Sequence, residues 1–395
     1  HSVIQRTGPG AFYVFDCLSR LAVDWYSDEM LGNFFMLTCP YLFDMETVTY
    51  FAVFRNYHTS HALVPIQNTT QLFLDVYRHK NEIYVRPIKA QHRYSPTMNM
   101  LHVRHGSHFL PVTSSAVISE ILTSAKWSGL NSDSSLGFWE SSFLQARELL
   151  VSGEYRPDLP GKGKSIYEQL VRMVISRDAG MQKLIARYIS LQDILDIRKR
   201  MIGSGLIGGK TVGMLLAQAI VKKKIPRFVE LFEAQDSFFI GSDTFFTFLV
   251  RNGIWWVRQN QRHPEEFLEG AEQARRRIIT GDFPAHIIKQ FEEMLDYFGQ
   301  SPFIVRSSSL LEDNFGNSFA GKYESVFCVN QGPRERRMQD FVAAVKRIYA
   351  SSMGEQALRY RARRGMLDKD EQMALLVMRV SGTMRGRNFY PEIAG

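Results

Sequence analysis

The chain has 395 residues, a length that predicts two or three domains. Its composition, 45% hydrophobic and 22% charged, is that of a globular protein. No stretch reaches the roughly 18 apolar residues of a membrane span, and polar residues interrupt the first 20 positions, so neither a membrane protein nor a secretory leader is predicted. The three cysteines (Cys17, Cys39 and Cys328) are too few and too scattered for a disulfide framework, which favours a cytoplasmic protein. A formal net charge of +8 favours an anionic partner.

Residues 1–125 are predicted to form an α/β domain. The apolar runs "AFYVFDCLS" (11–19) and "ETVTYFAVF" (46–54) have the length and composition of strands, and the apolar spacing over 24–39 is helical. The runs "QLFLDVYR" (71–78) and "NEIYVRPIK" (81–89) flank a short polar turn, which predicts a β-hairpin.

Helical periodicity dominates the middle of the chain. It predicts helices over 138–152, 165–177 and about 180–200, with a Pro- and Gly-rich linker over 153–164. The organisation we predict is therefore an α/β domain (1–125), a helical linker region (126–198) and a third region (199–395).

The third region alternates between helical and strand patterns, which makes the fold class α/β or α+β. We predict helices over 209–223, 264–279, 283–298 and 335–352, strands over 302–308 and about 373–380, and a strand-and-loop region over "DSFFIGSDTFFTFLVRNG" (236–253).

The stretch "GSGLIGGKT" (203–211) is similar to a Walker A loop whose first glycine is misplaced. Apolar residues recur at helical spacing after it, so Lys210 is predicted in the first turn of an amphipathic helix. Free N–H groups and a positive dipole end collect there, which makes an anion site beside Gly209 and Lys210. The alternative is a glycine-rich helix entry with a solvated lysine.

A second stretch, "SPFIVRSSSLLEDNFGNSFAGKYESVF" (301–327), places Arg306 at the end of an apolar strand. A guanidinium at that position suits the oxygens of a phosphate. Gly321 lets the backbone pass close to a ligand, and Ser325 offers a hydroxyl. The alternative is a structural clamp in which Arg306 forms a salt bridge with Glu312 or Asp313.

Three motifs together resemble the N-terminal nucleotide-binding region of the phosphoenolpyruvate synthase and pyruvate, phosphate dikinase family. "VRSSSLLEDNFGNSFAGKYES" (305–325) is similar to that family's "VRSS-(x)3-ED-(x)4-SFAG-(x)2-ET" signature. "IGGKTVGMLLA" (207–217) resembles its "GGKNASLGEM" helix entry, and "YASSMGEQALRYRARRG" (349–365) resembles its "FASLFTDRAISYR" helix. The resemblance covers about residues 200–395.

The resemblance implies a partial ATP-grasp domain that binds ATP. Lys210 and Arg306 match the residues that contact ATP phosphates and act in catalysis. Gly209 flanks the lysine, and Gly321 and Ser325 match residues of the nucleotide loop. The family usually has Thr where this chain has Ser325, so the hydroxyl is kept. It usually has Gln or His where this chain has Tyr323, so the amide that would contact the nucleotide is not kept.

The resemblance also implies a reaction. ATP is split to AMP, and its β-phosphoryl group passes to a histidine on a swivelling domain and then to pyruvate or another acceptor. Both partner domains would belong to the same longer chain. The Mg²⁺ ligands follow a "GVAFS"-type strand and are expected beyond residue 395, so no metal ligand is assigned here. We expect no turnover from these residues alone.

Residues 1–125 show a weaker resemblance to the C-terminal half of a RecA-like ATPase domain. "FYVFDCLSRL" (12–21) resembles a Walker B strand that ends in Asp16, and the matching Walker A loop is expected before residue 1, so these residues lack a P-loop. The alternative is a structural α/β domain in which Asp16 caps a strand end.

Two other classes of function are weighed against the phosphotransferase. One is a non-catalytic nucleotide-binding regulatory or adaptor protein that keeps both folds as scaffolds. The other is nucleic-acid binding through the basic segment 334–364, for which the alternative is a solvated helix face. Seven histidines between His58 and His108 suggest a metal site only weakly, because no cysteine or carboxylate lies at ligand spacing.

Overall fold

The computed structural model describes residues 2–55, 57–124, 137–155, 161–231, 236–312 and 321–390. Two compact units, residues 1–141 and 142–395, divide the chain. Helices and strands are mixed in both, which confirms the expected α+β class. The three-domain division at residues 125 and 198 stays a prediction. Among the described residues, no helix is long and apolar enough to cross a membrane.

The first unit contains two small sheets. One is a parallel pair, and the other is antiparallel with the order β3-β4-β5-β6. The turn between β3 and β4 is formed by Lys80 and Asn81, both with positive φ, and confirms the predicted hairpin. The strands are β1 (Phe12–Phe15), β2 (Val48–Phe51), β3 (Leu72–His79), β4 (Glu82–Ala90), β5 (His102–His105) and β6 (His108–Pro111).

Five helices accompany these strands: α1 (Ser2–Thr7), α2 (Leu18–Trp25), α3 (Asp28–Asp44), α4 (Ser60–Thr69) and α5 (Ser115–Ser124). An apolar cluster around Leu18, Leu31 and Phe35 packs α2 and α3 together. Asp16 is exposed directly after β1. The resemblance of this unit to a RecA-like domain stays a prediction.

A buried hydrogen-bond chain links α2, α3 and the segment before α4. The Ser19 hydroxyl lies 2.7 Å from Nε2 of His58, and Nδ1 of His58 lies 2.9 Å from Asp28 Oδ1. The Ser19 oxygen also accepts the backbone N–H of Phe54 at 2.8 Å. The side chains of Ser19, Asp28 and His58 are each at most 4% exposed, so His58 is a core histidine.

Replacing His58 with alanine should loosen the α2–α3 region. The change leaves Ser19 and Asp28 buried without their shared partner and opens a cavity, at a cost of about 2–4 kcal/mol. Hydrogen-exchange mass spectrometry should show correspondingly faster exchange in peptides that cover α2 and α3. The control is His105→Ala, at an exposed position of β5. Equal exchange in the two variants would contradict a structural role for His58.

The second unit is built on one five-stranded mixed sheet with the order β10-β9-β11-β8-β7. Strand β9 is antiparallel to both of its neighbours, and β7 is parallel to β8. The strands are β7 (Met201–Ile202), β8 (Ser237–Ile240), β9 (Phe303–Ser309), β10 (Ser325–Cys328) and β11 (Met373–Arg379); a separate hairpin is formed by β12 (Thr383–Arg385) and β13 (Asn388–Tyr390).

Helices cover both faces of this sheet, and α6 runs across the division between the units. The helices are α6 (Phe138–Val151), α7 (Lys162–Leu170), α8 (Ala179–Tyr188), α9 (Leu191–Lys199), α10 (Gly209–Lys224), α11 (Ser242–Arg251), α12 (Trp255–Asn260), α13 (Ala271–Thr280), α14 (Ala285–Phe298), α15 (Arg334–Ser351) and α16 (Glu355–Arg363). A π-helical turn continues α7 over Val171–Ile175, and a 3-10 helix spans Pro226–Leu231.

Aromatic side chains fill the core on one face of the sheet. Phe303 of β9 stacks on Phe298 with ring centroids 5.4 Å apart and meets Phe341 edge-on at 5.7 Å. Phe291 meets Phe341 at 5.0 Å. Successive residues of a strand point to opposite faces, so Phe303 and Val305 face this core and Arg306 faces away from it.

Three predicted elements of this unit are wrong in part. The helical segment predicted over about 180–200 is two helices, α8 and α9, of which the second is capped by Ser190. Residues Ser242–Arg251 form helix α11 and not the predicted strand-and-loop region. Ser242 through Leu249 are buried in succession, so the polar residues of this helix lie inside the domain together with its apolar ones. Helix α13 begins at Ala271 and not at 264, because residues 264–270 form turns.

Candidate functional site

The first residues of helix α10 lie against the last residues of strand β9, and the two backbones approach very closely. A Cβ atom added at Gly208 would lie 1.5 Å from the carbonyl oxygen of Ser308, and one at Gly209 would lie 2.3 Å from that of Glu312. Gly208 also has a φ of +81°, which L side chains rarely adopt. These glycines are therefore required by the fold, and they bring the first turn of α10 onto β9.

Lys210 meets a buried carboxylate at this junction. Its Nζ donates to Glu312 Oε1 at 2.8 Å and to the Ser307 hydroxyl at 3.0 Å. The Ser307 hydroxyl also donates to Glu312 Oε1 at 3.1 Å, and the Ser309 backbone N–H donates to Oε2 at 3.0 Å. Burial raises the pKa of Glu312, and the Lys210 ammonium opposes part of that rise.

The next residue anchors the helix end. The Thr211 backbone N–H donates to the Ser308 hydroxyl at 3.1 Å, and that hydroxyl donates to the carbonyl of Ile207 at 2.9 Å. Within the described part of the chain, the backbone N–H groups of Gly209 and Lys210 have no acceptor. The helix end therefore presents two free donors and its positive dipole end beside the Lys210 ammonium.

Arg306 lies on the sheet face opposite the aromatic core. It is paired in register with Ser325 of β10 on one side and with Leu376 of β11 on the other. Directly opposed residues in adjacent strands share a face, so these three side chains stand in a row. Among the described residues, no carboxylate pairs with Arg306, since Glu312 pairs with Lys210. Asp313, the other partner considered for Arg306, lies outside the described residues.

A cavity of about 630 Å³ lies between this sheet face and helix α10. Gly209, Lys210, Arg306 and Glu312 line it. Apolar side chains also line it, namely Ile175, Met181, Val212, Met214, Leu310, Leu376 and Met378. A ligand that is anionic in one part and apolar in another suits this mixed lining.

Gly321 and Ser325 are not part of the cavity wall. Gly321 has a φ of +69°, and no described atom lies within 4 Å of a Cβ built there, so its backbone conformation and not a close contact calls for glycine. Ser325 is exposed at the start of edge strand β10, beside Arg306.

Tyr323 points into a buried polar cluster. Its hydroxyl donates to Glu371, which also accepts from the Ser309 hydroxyl and from Arg361. Burial, followed by the Glu371 charge, raises the pKa of Tyr323 well above its ordinary value. Burial of the Arg258 guanidinium, together with the nearby Arg361 charge, lowers the pKa of Arg258 to about 9. The sequence does not show that Tyr323 belongs to this cluster.

The other glycines of "GSGLIGGKT" have a structural role. Gly203 and Gly205 have positive φ and pack against Thr244 and Asp243, with no room for a Cβ. The Ser204 hydroxyl donates to Asp243 at 2.8 Å. This part of the loop is therefore held by the start of α11, and the helix entry with its lysine is the part that faces the cavity.

Residues 204–394 match the family model described as the pyruvate phosphate dikinase AMP/ATP-binding domain. Over this segment the chain is therefore similar to that domain. The resemblance predicted for about residues 200–395 is confirmed. The matched segment contains Gly209, Lys210, Arg306, Gly321 and Ser325, whereas Ile175 and Met181 of the cavity lie before it. No curated protein matches the chain.

Most basic residues of the segment 334–364 already have acidic partners. Carboxylates lie within 4.0 Å of Arg334, Arg336, Arg347, Arg359 and Arg361. This pairing neutralises much of the charge that a nucleic-acid interface would need. It favours the interpretation of the segment as an ordinary helix surface.

The described residues of this domain do not form a set of ligands for a divalent cation. Glu312 is the sole carboxylate among the residues that line the cavity, and Lys210, Ser307 and Ser309 already occupy it. Within the described ranges, no group of three or more His, Cys, Asp or Glu side chains could hold a metal. The described residues therefore do not fit a Mg²⁺ site.

Introducing a methyl group at Gly208 should disrupt the junction. Gly208→Ala places a Cβ against the Ser308 carbonyl and strains a left-handed residue, so we expect a loss of at least about 2 kcal/mol in stability. Chemical denaturation would measure it. The control is Gly213→Ala, which lies in open space within α10 and should stabilise the helix by up to about 1 kcal/mol. A neutral Gly208→Ala would contradict the close approach.

Proposed function

We propose that this chain carries the ATP-binding part of a phosphoenolpyruvate synthase-like phosphotransferase, in an ATP-grasp-type domain over residues 199–395. The observation that carries the proposal is the meeting of Lys210 and Arg306 in one cavity, although 96 positions separate them in the chain. The match of residues 204–394 to an AMP/ATP-binding domain supports a nucleotide as the ligand.

The phosphates are assigned to the two cationic side chains of the cavity, Lys210 and Arg306. Charge-assisted hydrogen bonds from an ammonium and a guanidinium are stronger than neutral ones, and the free N–H groups of Gly209 and Lys210 add two more donors. Arg306 has no acidic partner among the described residues, so its charge is available to a phosphate. Ser325 stands beside it in register and offers a hydroxyl at the rim.

The base and sugar are assigned to the apolar side chains that line the cavity. Leu376 and Met378 of β11, Met181 of α8 and Met214 of α10 are among them. A cavity of about 630 Å³ lies within the usual range for nucleotide-sized ligands. Methionine side chains adapt to an aromatic face, which suits a purine.

The reaction proposed for the whole protein is transfer of a phosphoryl group to a histidine and then to pyruvate or another acceptor. Such a transfer depends mainly on positioning and on stabilising negative charge, and Lys210 and Arg306 supply positive charge for it. The histidine and acceptor sites are assigned to other domains of a longer chain. A cytoplasmic location is proposed with them, and the three cysteines are free thiols.

Removing either cation should weaken nucleotide binding. Loss of one charge-assisted contact costs about 1.5–3 kcal/mol, so Lys210→Ala and Arg306→Ala should each lower ATP affinity by about 10- to 100-fold. Isothermal titration calorimetry of the 395-residue chain with ATP measures this directly.

Two variants serve as matched controls for charge and location. Lys224→Ala removes a lysine from the far end of the same helix, and Arg379→Ala removes an arginine from the exposed end of β11. Both should bind ATP as the wild type does. If all four variants bound ATP equally well, the assignment of Lys210 and Arg306 to the phosphates would be wrong.

A further inference from the structure

Glu312 is an acidic group placed where the proposed function puts phosphate. It is 2% exposed, yet its side chain lines the cavity and lies 2.8 Å from the Lys210 ammonium. The titratable side chains that line this cavity in the described chain are Lys210, Arg306 and Glu312. A second buried carboxylate, Glu371, accepts a hydrogen bond from the Ser309 hydroxyl. It forms an ion pair with Arg361 and also accepts from the Tyr323 hydroxyl.

A phosphate bound at Lys210 changes the surroundings of Glu312 in two ways. The ammonium then shares its charge and its protons between the phosphate and the carboxylate, so Glu312 loses part of its stabilisation. A second anion also arrives within a few ångströms, where the low polarity of the buried site strengthens repulsion. Both changes disfavour the ionised form of Glu312. The remaining donors, the Ser307 hydroxyl and the Ser309 N–H, do not offset a full negative charge.

We propose that Glu312 takes up a proton when the phosphate end of a nucleotide binds at Lys210, and that nucleotide affinity is therefore coupled to pH. The inference rests on the proposed function, because it requires phosphate at Lys210. A protonated Glu312 still accepts a hydrogen bond from Ser309 through one oxygen and can donate its new proton to a phosphate oxygen. Glu312 thereby changes from a competitor for Lys210 into a donor for the ligand.

The direction of the pH effect follows from linkage. Burial already raises the pKa of Glu312 in the free protein, and the bound phosphate raises that pKa further. Below the free pKa the group is protonated in both states, and affinity is at its highest. As pH rises from the free pKa to the bound pKa, affinity falls, by at most about tenfold per pH unit for one proton.

Calorimetry in two buffers tests the proposal on the full chain. ATP is titrated at pH 6 in a buffer of small ionisation enthalpy and in one of large ionisation enthalpy, and the difference in heat gives the protons taken up. Glu312→Gln keeps the oxygen that accepts from Lys210 but cannot ionise. We expect the wild type to take up a fraction of a proton more than this variant, and its affinity to fall more steeply between pH 6 and pH 8.

The outcomes separate the two proposals. If the wild type does not bind ATP, the proposed function fails. If wild type and Glu312→Gln bind ATP with equal proton uptake and equal pH dependence, the role of Glu312 is overturned while ATP binding stands. Should Glu312→Gln not fold, as judged by circular dichroism, an infrared difference spectrum of the wild type decides. ATP must then produce a protonated carboxyl band, and its absence overturns the proposal.

Discussion

Helix α10 lies so close to the end of strand β9 that Gly208 has no room for a side chain. The rest of the candidate site depends on this contact. It places Thr211 on the Ser308 hydroxyl, Lys210 on Ser307 and Glu312, and the free helix end at the mouth of a cavity that Arg306 also lines. A single methyl group at position 208 would move all of these groups together, because they stand on the same two elements.

The sequence predicted the two elements that carry this contact to within one residue at each end. Helix α10 has apolar residues at helical spacing after a glycine-rich entry, and in β9 an apolar run precedes Arg306 and three serines. Lys210 and Arg306 were assigned to one ligand through the family resemblance, and the structure brings both to one cavity. What the sequence could not predict is the partner of Lys210, because Glu312 lies 102 positions away and follows Arg306 closely in the chain.

Other features escaped prediction for related physical reasons. Helix α11 is buried over eight successive residues, polar ones included, so its polar residues do not mark a solvent-exposed face. Tyr323 and Glu371 meet across 48 positions inside a buried polar cluster. Groups of this kind are costly to bury unless each has its partner, and neither the cost nor the partner leaves a periodic pattern in a sequence. The glycines of "GSGLIGGKT" predicted positive φ angles and close backbone contacts, but not which elements they contact. Those elements are α11, α14 and β9.

The pairing of β9 with β11 has a consequence for how this domain tolerates change. Leu376 opposes Arg306, and Val377 opposes Val305. Since a slip of one residue exchanges the two faces of a strand, a single-residue insertion between Phe303 and Arg306 would turn the guanidinium toward the aromatic core and a phenylalanine or valine toward the cavity. Insertions in connecting loops carry no such penalty. Homologous chains should therefore vary in the length of their loops, whereas the number of residues in strand β9 should stay the same.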